Sequence, residues 1–301
     1  MTKQMGGRIL YKLLALDMDG TLLNSQKMIT EKVKASIEYL LHKDIHVTIA
    51  TGRFPASVWL HGKELGLVSQ LIALNGAIIL DSTNGEAIEE TPILEKDVLE
   101  IIKFAQRHNV YVHFYGYNKL YVEKRNSMND KWFMGNVVID EKKQAKIQDY
   151  EEQLSLFQLV EVGDFLHFFP DLVDSPLFKA TIIDSNLQKV EKLYQEMIKW
   201  TGLSVTRTGK RRFDINDKKV SKKNALNKVC NNLNIKNEEV IAVGDYDNDS
   251  EMIEWAGKGV AMGNSNNFIK NIADDITLSN EEDGVALLIN KYFSFEESRK
   301  K

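Results

Sequence analysis

One rhythm constrains this chain more than any other feature. Short apolar runs of strand length alternate with helical patterns at both ends of the sequence, and the alternation lapses between them. Ile9 to Leu16, Ile45 to Ala50 and Leu71 to Leu74 read as buried strands. Between the first two, Thr30 precedes Val33, Ile37, Leu40 and Leu41 at i, i+4, i+7, i+8 spacing, which predicts an amphipathic helix behind a hydroxyl N-cap. A second helix is expected after Pro55. The last third repeats the style. Helices are expected over Ser221 to Leu233, Asn248 to Trp255, from near Asn266, and over Asp283 to Tyr292. Strands are expected at Val240 to Val243 and Gly259 to Met262. Strand and helix in alternation mean βαβ units on a parallel sheet, an α/β fold.

The middle differs. From about Glu86 to Arg207 the chain offers hairpin-like pieces rich in Tyr and Phe (Val110 to Tyr115, Lys119 to Val122) and two helical stretches, Glu95 to Arg107 and Leu187 to Trp200. The expected organisation is a core from residues 1–85 and 208–301, with an inserted α+β domain at 86–207. A length of 301 residues suits two such units.

Charge and cysteine usage narrow the function. Lys and Arg total 39 against 43 Asp and Glu, a net charge of −4, which argues against a nucleic-acid binder or a polybasic membrane sensor. The single cysteine, Cys230, forbids an intrachain disulfide and a cysteine-built zinc site. No apolar run approaches the ~18 residues of a membrane span, and Leu13 to Leu16 is too short for a signal-peptide core. The expectation is a soluble, cytoplasmic protein.

Four short constellations carry the chemistry. Asp17-Met18-Asp19-Gly20 begins where the first strand ends, at the sheet edge where open α/β folds bind ligands. Two acids there, followed by a glycine turn, suit a hard divalent cation and an acid/base pair; an Asp-Gly turn that merely closes the strand is the plain rival. Asp245-Tyr246-Asp247-Asn248-Asp249 follows the Val240 strand and is rich in oxygen donors, which favours Mg²⁺ or Ca²⁺ over zinc. An EF-hand loop fails there, because Ser250 and Ala256 occupy the positions that need glycine and glutamate. A solvated, acidic helix start is the other rival. Ala50-Thr51-Gly52-Arg53 offers a hydroxyl, a glycine amide and a guanidinium at a helix entry, either an anion cradle or a simple N-cap. Lys218-Lys219-Val220-Ser221-Lys222-Lys223 is either a solvated face or the source of one inward lysine. P-loop, dinucleotide, nucleophile-elbow and His-Glu-x-x-His patterns do not occur.

Taken together the chain resembles the haloacid-dehalogenase-like phosphatases, specifically the Cof-type group with a large cap. The match runs through Asp17 to Leu23, Thr51-Gly52-Arg53, Asn75-Gly76-Ala77, Val220-Ser221-Lys222, Gly244 to Asp249, Gly259 to Asn264 and Asn280 to Val285. It covers both ends of the chain and leaves the insertion without a motif. The resemblance implies a Rossmann-like core with the insertion as cap. It implies Asp17 as nucleophile, forming an aspartyl-phosphate, and Asp19 as acid for the leaving alcohol and then base for water. It implies Mg²⁺ held by Asp17, the Asp19 carbonyl and Asp245, with Asp249 behind them. Thr51, the Gly52 and Met18 amides, Lys222 and Asn248 would hold phosphate oxygens. Lys219 and Lys223 stand where the family commonly has glycine, so more than one lysine competes for the inward place; Val220-Ser221 sets the register in favour of Lys222. Tyr246 replaces a small polar residue.

These roles make chemical sense. A carboxylate ionises near pH 4 and needs no base to attack, but it must approach an anionic phosphate, so a divalent metal and a lysine have to cancel charge. Asp19 must start protonated, and nearby anions are expected to raise its pKa. Three functions compete: a Mg²⁺-dependent phosphomonoester hydrolase acting on a small phosphorylated metabolite (a sugar phosphate or a phosphorylated cofactor or vitamin precursor), a phosphomutase, and a non-catalytic phosphometabolite-binding regulator. Arg207, Lys210, Arg211 and Arg212 are read as a solvated charge run outside the site.

Overall fold

Alternation along the first strand sets the architecture. Leu14 and Leu16 point into one apolar cluster with Val33, Ile37 and Leu40, whereas Leu13 and Ala15 point into another with Ala225, Leu226 and Val229. A strand buried on both faces reads as an unbroken apolar run and needs helices on each side. Each fully buried leucine of this kind contributes ~1.5–3 kcal/mol relative to exposure.

The computed structural model describes residues 11–139, 150–172 and 175–293. Ile9 and Leu10 of the expected first strand lie outside them. The amino-terminal part runs β1 (Leu13–Leu16), α1 (Glu31–Leu41), β2 (His46–Ile49), α2 (Pro55–Glu64), β3 (Leu71–Ala73), β4 (Ile78–Leu80) and β5 (Ala87–Glu90). Then come α3 (Glu95–Arg107), β6 (Tyr111–Tyr115), β7 (Lys119–Val122), α4 (Tyr150–Ser155), β8 (Gln158–Glu161), α5 (Phe165–Leu172), β9 (Lys179–Ile183), α6 (Leu187–Met197), β10 (Leu203–Gly209) and β11 (Arg212–Asp217). The chain closes with α7 (Lys222–Leu233), β12 (Val240–Gly244), α8 (Ser250–Trp255), β13 (Lys258–Ala261), α9 (Asn267–Ile272), β14 (Asp275–Ile276) and α10 (Gly284–Phe293). The Thr30 hydroxyl does cap α1, accepting from the Val33 amide at 3.3 Å.

Five strands form the parallel core sheet in the order β14-β13-β12-β1-β2. It is therefore built from both ends of the chain, with β1 in register against β12 (Leu16 opposite Val243) and against β2 (Leu16 opposite Ile49). β3 departs from the expected pattern. It touches the parallel sheet through one bridge, Ala50 to Ile72, and belongs to an antiparallel sheet β3-β4-β5. A parallel return needs a long crossover. Here Asn75 (φ 63°) and Gly76 (φ 102°) reverse the chain directly after Leu74, so β4 folds back beside β3.

The second large sheet, β10-β11-β9-β6-β7-β8, is antiparallel except for the β7–β8 pair. Its strands alternate too. Val112, Phe114, Ala180, Ile182, Phe213 and Ile215 pack beneath α3, α5 and α6. The intervening Tyr115, Lys179, Thr181, Asp214 and Asn216 occupy the opposite face, which is turned toward the core. β11 is hydrogen-bonded into this sheet, although 208–217 were assigned to the core from sequence. The basic stretch read as a solvated charge run lies at the tip of the β10–β11 hairpin. Among the described residues no helix is long and apolar enough to cross a membrane.

Candidate active site

Register brings the key residues together. β1, β2 and β12 end level with one another, so the residues that follow them (Asp17, Thr51 and Asp245) emerge at one carboxyl edge. The Asp17 amide donates to the Val243 carbonyl at 3.0 Å and the Ala50 amide to the Leu16 carbonyl at 2.8 Å. After Asp19 the chain turns through Gly20 at φ +85°, and a Cβ there would lie 2.4 Å from Asp245 Oδ2. Glycine is required both for the turn and for the space that the Asp245 carboxylate fills.

Asp17, Asp245 and Asp249 have carboxylate oxygens within 4.8 Å of one another. Lys222, the first residue of α7, is 1% exposed and donates to Asp17 Oδ1 at 2.5 Å and to Asp249 Oδ1 at 2.6 Å. The other Asp249 oxygen accepts the amides of Asp245 (3.0 Å) and Tyr246 (3.1 Å), which fixes the loop that carries Asp245. Thr21 Oγ1 donates to Asp245 Oδ1 at 3.2 Å. Of the competing lysines, Lys222 is the one turned inward; Lys219 is exposed and Lys223 reaches only Asn224.

The electrostatics follow from crowding. Burial pushes the Asp17 carboxyl above the usual carboxylate range; the Lys222 ammonium opposes the shift and Asp249 adds to it. Burial also raises Asp245, with Asp17 and Asp249 adding to it. Burial disfavours the charged Lys222, but its two carboxylate partners outweigh that and hold it above the ordinary lysine value. Three carboxylates around one ammonium form an oxygen-only set short of positive charge, and its chemistry fits a hard divalent cation.

Asp19 behaves opposite to expectation. Withdrawal from water tends to raise its pKa, but the Arg53 guanidinium and then the Lys27 ammonium dominate and hold it well below the usual range. Arg53 grips the carboxylate through Nε and Nη2, both at 2.7 Å, and Lys27 Nζ lies 2.6 Å away. Proximity to the nucleophile was expected to raise this pKa, yet two closer cations decide its sign.

Asp17, Asp19, Thr51, Gly52, Asp245 and Asn248 line one cavity of about 530 Å³. Lys222 and Asp249 lie beneath its floor, and the Met18 side chain is wholly buried, which leaves only its backbone for a ligand. The second sheet roofs the cavity with Tyr115, Lys179, Arg212 and Asp214, and Trp132 joins them. Arg212 thus faces the cavity, whereas Arg207 pairs with Glu191 and stacks on Tyr194. Sequence reading did not separate those two arginines, because hairpin register alone distinguishes them. It also missed what supports the Asp17 turn. Asn264 Nδ2 donates to the Gly20 carbonyl and Asn280 Nδ2 to the Leu23 carbonyl, both at 2.8 Å. The family motifs at those positions were the available signal.

The fold and this constellation define an α/β enzyme with a buried acidic cluster at the carboxyl edge of its parallel sheet, and comparison makes the class definite. The haloacid dehalogenase-like hydrolase family model matches residues 14–289, and the chain belongs to that family. Within it the chain is an enzyme of the phosphatase type. It is 32% identical to phosphatase YwpJ of Bacillus subtilis over 91% of this chain and 97% of the relative. It is 29% identical to the 5-amino-6-(5-phospho-D-ribitylamino)uracil phosphatase YitU of the same organism, over 94% and 97%. A solved haloacid dehalogenase-like hydrolase from B. subtilis superposes with a TM-score of 0.79 at 30% identity, covering 93% of this chain and 99% of that one.

Proposed function

We propose that this chain is a Mg²⁺-dependent phosphomonoesterase that releases orthophosphate from a small phosphorylated metabolite, with Asp17 as nucleophile and residues of the second sheet as the roof of the site. The observation that carries this reading is the buried Asp17–Lys222–Asp249 chain beside Asp245, at the floor of a cavity large enough for a metabolite. An Asp17 oxygen attacks phosphorus, the bond from phosphorus to the ester oxygen of the leaving group breaks, and that departing ester oxygen takes a proton from Asp19 to leave as the alcohol. Water then attacks the aspartyl-phosphate, gives a proton to Asp19, and frees Asp17 and orthophosphate. Thr51, the Gly52 and Met18 amides, Asn248 and Lys222 hold phosphate oxygens. Asp17, the Asp19 carbonyl and Asp245 would hold Mg²⁺, which supplies charge neutralisation at the phosphoryl group. In the arrangement seen, ionised Asp19 suits the base role; its acid role requires the Arg53 ion pair to open. The relative named for a ribitylaminouracil phosphate, together with Trp132 and Tyr115 over this cavity, supports a sugar phosphate or a phosphorylated vitamin precursor as substrate.

A panel of phosphorylated metabolites, assayed for orthophosphate, tests the reading. Release is expected with Mg²⁺ and none with a chelator. An isomeric phosphate ester in place of orthophosphate would mark a mutase, and binding without turnover a regulator.

A second prediction concerns pH. Without metal, Asp17 and Asp245 hold protons up to about 7 and about 8, whereas in the unfolded chain they release them near the ordinary value of about 4. The folded state thus binds more protons across that window, so the metal-free fold loses stability as pH rises through it. Mg²⁺ binds the ionised carboxylates, so the rise in melting temperature on adding it is expected to be larger at pH 8.5 than at pH 5.5. An equal rise at both, or a larger one in acid, contradicts this assignment of the carboxylates.

A further inference from the structure

One buried ion pair has no part in the chemistry above. Lys179, on β9, is 4% exposed, as is Asp214 on β11, and Lys179 Nζ lies 3.1 Å from Asp214 Oδ2. Both belong to the second sheet, yet each reaches into the core. Lys179 Nζ donates to the Gly52 carbonyl at 2.7 Å and sits 4.0 Å above the Tyr115 ring. Asp214 accepts from Asn75 Nδ2 at 3.1 Å, and Asn75 Oδ1 accepts from Asn248 Nδ2 at 3.3 Å. Thr181 and Thr208 complete the Asp214 shell at 2.8 and 3.2 Å. The two arms therefore reach two parts of the proposed phosphate cradle, and Asn75 also borders the first, its amide donating to the Thr51 carbonyl at 2.8 Å. One holds the loop that presents Thr51 and Gly52, and the other holds Asn248.

Burying such a pair adds little stability, because desolvation of both ions offsets their attraction. A pair this well satisfied has a better explanation in geometry. A cation on the Gly52 carbonyl fixes the plane of the next peptide, whose Arg53 N–H lies 3.4 Å from Thr51 Oγ1. Because the pair is neutral as a unit, it orders the cradle without competing for the phosphate.

We propose that Lys179 and Asp214 are positioning residues that make the phosphate cradle depend on seating of the second sheet. Gly52 and Asn248 adopt their phosphate-holding positions only while this pair spans the two parts of the chain. The inference rests on the phosphatase reading given above and adds a roof-borne requirement to it.

The test uses the full-length protein with Lys179→Met, Lys179→Arg, Asp214→Asn and the Lys179→Met/Asp214→Asn double variant. Turnover is measured on p-nitrophenyl phosphate and on the best metabolite phosphate, and orthophosphate binding is measured by calorimetry. Lys179→Met is expected to lower kcat about 10- to 100-fold by the same factor on both substrates, the scale of a modest misplacement of reacting groups. Orthophosphate affinity falls with it, Asp214→Asn gives a similar loss, and the double variant is no worse than the poorer single one. Lys179→Arg recovers part of kcat. A purely structural pair would lower the melting temperature and leave kcat of the folded protein unchanged, which overturns the proposal. A raised KM on the metabolite alone, with p-nitrophenyl phosphate untouched, would make Lys179 a substrate contact and overturns it as well. Should Lys179→Met not fold, Asp214→Asn, nearly equal in volume, carries the test. A wild-type protein with no orthophosphate release sinks the functional reading, and the calorimetric comparison then still decides the positioning claim.

Discussion

Asp17→Asn is expected to abolish orthophosphate release, lowering turnover by ~10⁴-fold or more, because on the proposed mechanism the side chain that takes the phosphoryl group loses its nucleophilic carboxylate. The fold is expected to survive. Asparagine has the shape of aspartate, and the site already disfavours the ionised form, since burial pushes the Asp17 carboxyl upward. Lys222 keeps Asp249 at 2.6 Å as a partner. Thermal melting near that of the wild type, loss of turnover, and no phosphoryl mass on the intact protein after rapid quench form the expected set. Residual turnover above about 1 per cent of wild type would mean that Asp17 is not the nucleophile, because removal of a covalent catalyst leaves only the far smaller contribution of binding.

Lys222→Met should damage both stability and activity. The substitution leaves Asp17, Asp245 and Asp249 within 4.8 Å of one another with no internal cation. Removing one partner from a buried pair typically costs about 3–5 kcal/mol, since the remaining charge is stranded. The metal-free variant should therefore melt well below wild type, and Mg²⁺ should restore more stability to it than to wild type. Turnover is expected to fall about 10²- to 10³-fold even with saturating metal, the loss seen when one preorganised group facing developing charge is removed. Equal melting of variant and wild type in chelator would show that Lys222 does not hold the acidic cluster together.

Much of this site was legible because its parts sit at strand ends. Buried parallel strands write continuous apolar runs, and the polar residue that breaks each run marks the sheet edge. Asp17, Thr51 and Asp245 were found in that way, and register then brought them together. Lys222 was legible only through the Val220-Ser221 register, since four lysines stand within six residues. What could not be read was anything decided by tertiary approach. The grip of Arg53 and Lys27 on Asp19 inverts the pKa expected from its nearer neighbours in sequence. Lys179 and Asp214 look like ordinary charged residues in alternating strands, and only the facing of that sheet toward the core turns them into a buried pair. β3 was misplaced because an apolar run states burial without stating the direction of its neighbour.

The pairing of β1 with β12 has a consequence for synthesis. Leu13 lies beside Val240, so the strand that precedes Asp17 waits for a partner made more than 200 residues later. A ribosome adding roughly 5–20 residues each second leaves that strand with no partner but β2 for many seconds. The second sheet, drawn from one continuous stretch of sequence, has all its strands beforehand. A polypeptide that stops before β12 therefore carries Asp17 without Asp245, and on the proposed mechanism it is expected to release no orthophosphate.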